Sequence, residues 1–178
     1  RYGVAMSAQK KDPDTILVLD FGGQYTHLIA RRIREQKVYS EVVPCDLTVE
    51  AIEAKRSQMN IRGLILSGGP SSVYRPGAPK CDPRILDINL PILGICYGHQ
   101  LIAQAAKGQV KPGKKNEYGI AHITVDSPTG ILKGMEKTEK VWMSHGDTVY
   151  SLPREYKVLA RSDSSPVVAF KHKSYPIY

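Results

Sequence analysis

Short runs rich in apolar and β-branched residues recur through the first half of the chain. They are TILVLD (15–20), VYSEVVP (38–44), IRGLILS (61–67) and LPILGI (90–95). Runs of this length and composition, bounded by turn residues, are typical of strands buried inside a sheet. We therefore predict four strands in this half of the chain.

Segments with helical spacing lie between these strands. After the turn FGGQY, apolar residues recur every three or four positions. These residues are Tyr25, Leu28, Ile29 and Ile33. TVEAIEAKR (48–56) and GHQLIAQAAKG (98–108) predict two more helices, the latter ended by Gly108. Asp82 and Pro83 are typical of the cap and first residue of a further helix. The alternation predicts an α/β fold with a mostly parallel, doubly wound open sheet and flanking helices.

After Gly108 the hydrophobic pattern changes. IAHITVD (120–126) alternates apolar and polar residues, which indicates an antiparallel or edge strand. KVWMS, YKVLARS and PVVAFK are further short runs of this kind. We expect a few antiparallel strands added to the α/β core, within one domain that covers residues 14–178.

The length and composition fit a single globular domain. The chain has 178 residues, of which 42% are hydrophobic and 24% are charged. No apolar run approaches the ~20 residues of a membrane helix. The start, RYGVAMSAQKKDP (1–13), lacks the apolar region of a secretory signal. We expect a flexible polar tail over residues 1–13, no membrane partner and a cytoplasmic location.

The formal net charge of +8 has three interpretations. It can serve an anionic partner such as nucleic acid, dock against an acidic partner domain, or belong to a solvated surface without a partner. The basic residues are scattered among acidic ones, and no aromatic platform motif accompanies them. This distribution favours the solvated surface, so we expect no nucleic-acid partner.

The three cysteines are Cys45, Cys81 and Cys96. Their odd number, their wide spacing and the lack of a CxxC pair argue against a disulfide framework or a zinc site. We expect free thiols, with no metal and no cofactor in this domain. The sequence around Cys45 and Cys81 does not suggest a reactive thiol, whereas the sequence around Cys96 does.

Cys96 lies in GICYGHQ, where the fourth predicted strand turns into a helix. Gly94 and Gly98 would remove Cβ clashes where the strand, turn and helix crowd together, as in a nucleophile elbow with cysteine in place of serine. The helix N-terminus would favour the thiolate, and the N–H group of Tyr97 would face a developing oxyanion. The alternative is a buried structural cysteine in a turn where glycine is common.

Two other loops carry candidate chemistry. LSGGPSS (66–72) follows the third strand, at the sheet edge where open α/β folds bind ligands. Its glycines let the backbone approach a reacting group, and the N–H group of Gly69 is the candidate second oxyanion donor. A plain Gly-Pro turn is the alternative. MSHGD (143–147) is a candidate recognition loop, because His145 and Asp147 are too close in sequence for a base and its orienting group.

Together, GICYGHQ, LILSGGPSSVY and VWMSHGD resemble the class I glutamine amidotransferases. DFGGQYTHLIARRIRE narrows the resemblance to the amidotransferase domains of the GMP synthase family, from about Thr15 to Tyr178. The resemblance implies a flavodoxin-like α/β fold that hydrolyses L-glutamine. It also implies that the ammonia passes to a separate ATP-pyrophosphatase (synthetase) domain of the same enzyme, which uses ATP and Mg to convert XMP to GMP. The full enzyme is expected to be a homodimer.

The resemblance also implies roles for individual residues. Cys96 would attack the side-chain amide of glutamine to give a thioester, and the N–H groups of Gly69 and Tyr97 would stabilise the tetrahedral oxyanion. A further set would contact the amino-acid end of glutamine, with one histidine shaping the segment. These residues are Gln100, Ser144, His145, Gly146 and Asp147.

One part of the family pattern lies outside this sequence. In the family the base is a histidine in G-x-Q-F-H-P-E, oriented by the glutamate, and this segment follows a strand of the type P-I-Y. Residues 176–178 correspond to that strand, so the histidine and glutamate are expected just beyond Tyr178. The domain is therefore expected to be incomplete at its C-terminus, with the ATP-pyrophosphatase and dimerisation domains absent. The 178 residues alone are expected to hydrolyse glutamine near background.

Five histidines are the candidates to replace that base, and none has a strong claim from its position. They are His27, His99, His122, His145 and His172. A second hypothesis therefore stays open, in which the chain binds glutamine without hydrolysing it and acts as a docking or regulatory module.

Overall fold

We describe the protein from a computed structural model, which covers residues 12–178 except for the side chains of Lys115 and Asn116. The predicted tail, residues 1–13, lies outside the described residues apart from Asp12 and Pro13. The elements are β1 (Asp14–Asp20), α1 (Thr26–Glu35), β2 (Tyr39–Pro44), α2 (Val49–Arg56), β3 (Asn60–Leu66), β4 (Ile92–Gly94), α3 (Tyr97–Ala105), β5 (Gln109–Val125), β6 (Thr138–Ser151), β7 (Tyr156–Arg161) and β8 (Ala169–His172). Two short 3₁₀ turns cover Pro83–Asp87 and Gly130–Leu132.

The first four strands form a parallel sheet in the order β2-β1-β3-β4. Leu17, Val18 and Leu19 of β1 are fully buried, as expected for a central strand covered on both faces. Beside β4, residues 176–178 run in the same direction: the N–H of Ile92 donates to Pro176 O, and the N–H of Tyr178 donates to Ile92 O. The predicted parallel, doubly wound sheet is confirmed.

Helix α1 lies where it was predicted, and its fully buried positions are two small residues. Thr26 and Ala30 are buried, whereas Tyr25 and Leu28 are about half exposed. The hydroxyl of Thr26 reaches Asp20 Oδ1 (2.9 Å) and Ser67 Oγ (3.2 Å), and Ser40 Oγ donates to Ala30 O (2.8 Å). These hydrogen bonds set the rotation of the helix, so the apolar spacing alone does not identify its most buried positions.

The ends of two other helical segments differ from the prediction. Asp82 caps the 3₁₀ turn Pro83–Asp87 rather than an α-helix, and its carboxylate accepts from Arg84 N. After α3 the residue with positive φ is Lys107 (63°), not Gly108. Gly108 is needed for another reason, because a Cβ there would lie 2.6 Å from Ser151 O.

The second half of the described chain forms an antiparallel sheet in the order β6-β5-β7-β8. The predicted added strands are thus confirmed, but β5 and β6 are much longer than the patterns indicated. MSHGD, predicted as a loop, lies within β6. Opposite it, the β5–β6 register shifts between Pro112 and Glu117, so β5 bulges while Ser144–Asp147 stays extended. A small second core of Ile123, Val125 and Ala160 supports this sheet.

Within the described residues, no helix combines the length and apolar character needed to cross a bilayer.

Candidate active site

Cys96 lies at the turn between β4 and α3, in a strained backbone conformation with φ 53° and ψ −104°. Such angles are rare for a residue with a Cβ and persist where the surroundings impose them. A Cβ on Gly94 would lie 2.6 Å from Gly98 O, and a Cβ on Gly98 would collide with Leu66 O. The predicted requirement for glycine on both sides of the cysteine is therefore confirmed, and the geometry is that of a nucleophile elbow.

The thiol of Cys96 is half buried among backbone groups. It donates to Ser144 O at 3.7 Å, and the N–H groups of Tyr97 and Gly69 are both directed at the sulfur. Burial raises the pKa of the Cys96 thiol, and the two N–H groups oppose the rise only in part. The N–H group of Tyr97 at the start of α3 favours the thiolate, as predicted, but the expected net lowering of the pKa is not found, because desolvation outweighs the N–H groups.

The loop after β3 is held next to the cysteine by the loop after β1. A Cβ on Gly69 would lie 2.6 Å from Phe21 O, and one on Gly68 would lie 3.6 Å from Cys96 Cβ. Ser67 Oγ accepts from Phe21 N at 3.1 Å. These close approaches fix the backbone of Gly69, whose N–H group is directed at the sulfur.

Gln100 and Asp147 meet across the two sheets. Gln100 is 6% exposed, and its Nε2 donates to Asp147 O at 3.2 Å. The carboxylate of Asp147 accepts from the hydroxyl of Tyr74 at 2.7 Å. The elbow helix and the MSHGD segment are thus in direct contact, through the carbonyl group of Asp147.

A cleft of about 1020 Å³ opens over the thiol. It is lined by almost all of the predicted site residues, namely Gly69, Cys96, Gln100, Ser144, His145, Gly146 and Asp147. The exception is Tyr97, whose ring is buried against Phe21 and whose hydroxyl donates to Pro79 O. Tyr97 therefore contacts the Cys96 sulfur through its N–H group and not through its ring.

None of the five histidines directs a free ring nitrogen at the Cys96 thiol among the contacts that the structure describes. Both nitrogens of His145 face other groups, Asp147 O (3.0 Å) and Glu117 Oε2 (3.2 Å). The ring of His99 lies against Phe170 at 4.7 Å, and burial lowers its pKa to about 4. His172 Nδ1 accepts from the N–H groups that follow it. His27 and His122 are exposed.

Sequence reasoning missed two residues that hold the site together. Tyr74 belongs to the motif SGGPSSVY, but no sequence pattern predicted its hydrogen bond to the carboxylate of Asp147. Glu117 lies outside every motif, and only the β5–β6 register places it opposite His145. A satisfied carboxylate carries no local sequence signal when its partners come from other strands.

Comparison with known proteins identifies the family of the chain and agrees with its fold. The model of the family "Glutamine amidotransferase class-I" matches residues 17–178, and the chain belongs to that family. Within it, similar proteins carry the name GMP synthase [glutamine-hydrolyzing]. The protein of Corynebacterium diphtheriae is 51% identical over 166 residues, and that of Parafrankia sp. is 48% identical over 165 residues. Each match covers 93% of this chain but 30% of the relative, so the chain spans less than a third of these proteins.

Solved structures agree with the fold. A protein of Thermoplasma acidophilum, assigned as a GMP synthase subunit, superposes with a TM-score of 0.80 at 33% identity. That match covers 93% of this chain and 81% of the other. A glutamine amidotransferase of Thermotoga maritima gives a TM-score of 0.69 at 19% identity, covering 93% and 73%, and shows the shared fold.

Proposed function

We propose that residues 14–178 are the glutamine-hydrolysing domain of a GMP synthase. The observation that carries the proposal is the position of Cys96, on an elbow with the N–H groups of Gly69 and Tyr97 directed at its sulfur. Family membership and the GMP synthases among the similar proteins support glutamine as the substrate.

In the proposed reaction, the sulfur of Cys96 attacks the carboxamide carbon of glutamine. The carbonyl oxygen becomes an oxyanion, which the N–H groups of Gly69 and Tyr97 stabilise. The C–N bond then breaks, and ammonia leaves with a proton delivered by the base that took it from the thiol. Water cleaves the resulting γ-glutamyl thioester, which releases glutamate and restores the thiol.

We assign recognition of the amino-acid end of glutamine to the two segments that line the cleft beside the thiol. One is the elbow helix with Gln100, and the other is the stretch Ser144, His145, Gly146 and Asp147. This assignment is supported by the hydrogen bond from Gln100 Nε2 to Asp147 O, which joins the two segments into one wall of the cleft.

The base in this proposal is the histidine of a His-Glu pair that follows Tyr178 in the family pattern. Residues 176–178 run parallel to β4, and β4 ends at the elbow that carries Cys96. Tyr178 itself lines the cleft. A segment that continues from Tyr178 would thus leave the sheet at the edge where the thiol lies, which supports this assignment.

We further propose that a synthetase domain of the same enzyme uses the ammonia, with ATP and Mg, to convert XMP to GMP in a cytoplasmic homodimer. The support is the name of the curated relatives and their length, of which this chain matches 30%.

Glutamine protection of Cys96 tests the proposal. L-glutamine should slow the alkylation of Cys96 by iodoacetamide in the full chain, without changing the rates at Cys45 and Cys81, as measured by peptide mass spectrometry. Failure of millimolar glutamine to protect Cys96 would overturn the glutamine site. Protection without glutamate release, in an enzyme that carries the His-Glu pair, would instead favour the non-hydrolysing binding module.

A further inference from the structure

Glu117 and His145 form a second carboxylate–histidine pair beside the thiol. They are directly opposed in the β5–β6 ladder, and His145 Nε2 lies 3.2 Å from Glu117 Oε2. Both side chains are largely buried, with 17% of His145 and 12% of Glu117 exposed. A carboxylate this buried is stable only with a counter-charge or with hydrogen bonds to its oxygens.

The two oxygens of Glu117 have different surroundings. Oε1 accepts from the hydroxyls of Ser162, at 3.1 Å, and Ser164. Within the described chain, Oε2 has no hydrogen-bond partner, so the imidazole of His145 is its compensation. His145 Nδ1 in turn faces Asp147 O at 3.0 Å. The ring is thus held between a carboxylate oxygen at Nε2 and a carbonyl oxygen at Nδ1.

This pair acts on the backbone that surrounds the thiol. His145 stands between Ser144, whose carbonyl accepts from the Cys96 thiol, and Asp147, whose carbonyl accepts from Gln100 Nε2. Because the side chain of His145 is held at both ring nitrogens, it restrains the backbone of residues 144–147 around it. The orientation of both carbonyl groups therefore depends on the anchor that Glu117 provides.

We propose that Glu117 is a positioning residue for the Cys96 site: paired with His145, it holds residues 144–147 against the thiol and against Gln100. The glutamine-binding part of this inference rests on the proposed function, whereas the effect on the thiol does not. The pair also argues against His145 as the base, since its ring nitrogens face Glu117 and Asp147 and not the Cys96 thiol.

The test compares wild type with Glu117→Gln in the full chain, by the rate at which iodoacetamide alkylates each cysteine. Glutamine in place of glutamate keeps the shape and the serine contacts but removes the charge. We expect alkylation of Cys96 to accelerate by about tenfold as residues 144–147 loosen, with the rates at Cys45 and Cys81 unchanged. The L-glutamine concentration that halves the Cys96 rate should rise by about tenfold as well.

Controls separate positioning from folding. Glu136→Gln removes an exposed carboxylate just before β6 and should change neither readout. Glu117→Asp keeps the charge and should restore part of the wild-type behaviour. The double variant Glu117→Gln/His145→Gln should be no worse than the worse single variant, because the two residues act as one unit.

Three results would overturn the inference: a Cys96 rate within twofold of wild type in Glu117→Gln, equal acceleration at all three cysteines, or the same effect in Glu136→Gln. If L-glutamine does not protect Cys96 from alkylation in wild type, the proposed function is contradicted instead. The alkylation rates measured without glutamine would still decide the role of Glu117.

Discussion

At the scale of single residues, Cys96 combines a strained backbone with a thiol that burial keeps protonated. With a φ of 53°, Cys96 lies in the turn between β4 and α3. Because the pKa of its thiol is raised, a base must remove the proton before the sulfur attacks. The N–H groups of Gly69 and Tyr97 are then available for the oxyanion. Attack by Cys96 therefore requires a base, and none of the described histidines is directed at the thiol.

Cys96→Ala tests this role in an enzyme that carries the family's His-Glu pair. Loss of the nucleophile should lower glutamate release by on the order of 10³-fold or more. Cys45→Ala, which removes a thiol that does not line the cleft, is the matched control and should keep the wild-type rate. Similar glutamate release from both variants would rule out Cys96 as the nucleophile.

His99 makes stability depend on pH. Burial lowers its pKa from 6.5 to about 4, so on acidification the unfolded state takes up a proton before the folded state does. Its contribution is present above about pH 6.5 and is lost as the pH falls toward about 4. Urea midpoints at about pH 7.5 and about pH 5 should therefore differ less in His99→Gln than in wild type. The exposed His122→Gln should behave as wild type; an unchanged pH dependence in His99→Gln would contradict the assignment.

At the scale of elements, the elbow depends on how closely α3 approaches β3. Gly98 packs so tightly on Leu66 that no Cβ fits between them, and the start of α3 cannot move without moving the N–H group of Tyr97. The same contact therefore serves both packing and chemistry.

Gly98→Ala should displace the start of α3. We expect a loss of stability of about 1–3 kcal/mol from overpacking, measured as a fall in thermal midpoint, and at least tenfold weaker glutamine protection of Cys96. Ala105→Ser, on the exposed end of the same helix, is the control and should change neither measurement. A Gly98→Ala variant with wild-type stability and protection would show that the helix start tolerates the shift.

At the scale of the whole molecule, the site is shared between the two sheets. Cys96, Gly69 and Gln100 lie in the turn, loop and helix that follow strands of the parallel sheet, whereas the antiparallel sheet supplies the carbonyl groups of Ser144 and Asp147. Tyr74 ties the loop after β3 to Asp147, so three connections close the wall of the cleft.

The 178-residue chain alone should release glutamate near background, because no described histidine is directed at the thiol. Glutamine should nevertheless protect Cys96 from alkylation in the same sample. A chain extended through the family's His-Glu segment should hydrolyse glutamine faster by several orders of magnitude. Strong hydrolysis by a mass-verified 178-residue chain would contradict the prediction and would require one of the five histidines to turn toward the cysteine.

The sequence by itself determined the features that are written within one segment. Strand and helix periodicity located the parallel sheet, and the glycines around Cys96 identified the elbow, because crowding at such a turn restricts which residues fit. The positions of Gly69 and Tyr97 followed from the same local motifs.

Only the tertiary structure decided what depends on packing between segments. The buried face of α1, the inclusion of MSHGD in β6 and the pairing of Glu117 with His145 are set by contacts between distant parts of the chain. The raised pKa of Cys96 is of this kind too, because desolvation comes from every element packed around the sulfur. Periodicity records which residues prefer burial, but the partner that each one meets is a property of the assembled fold.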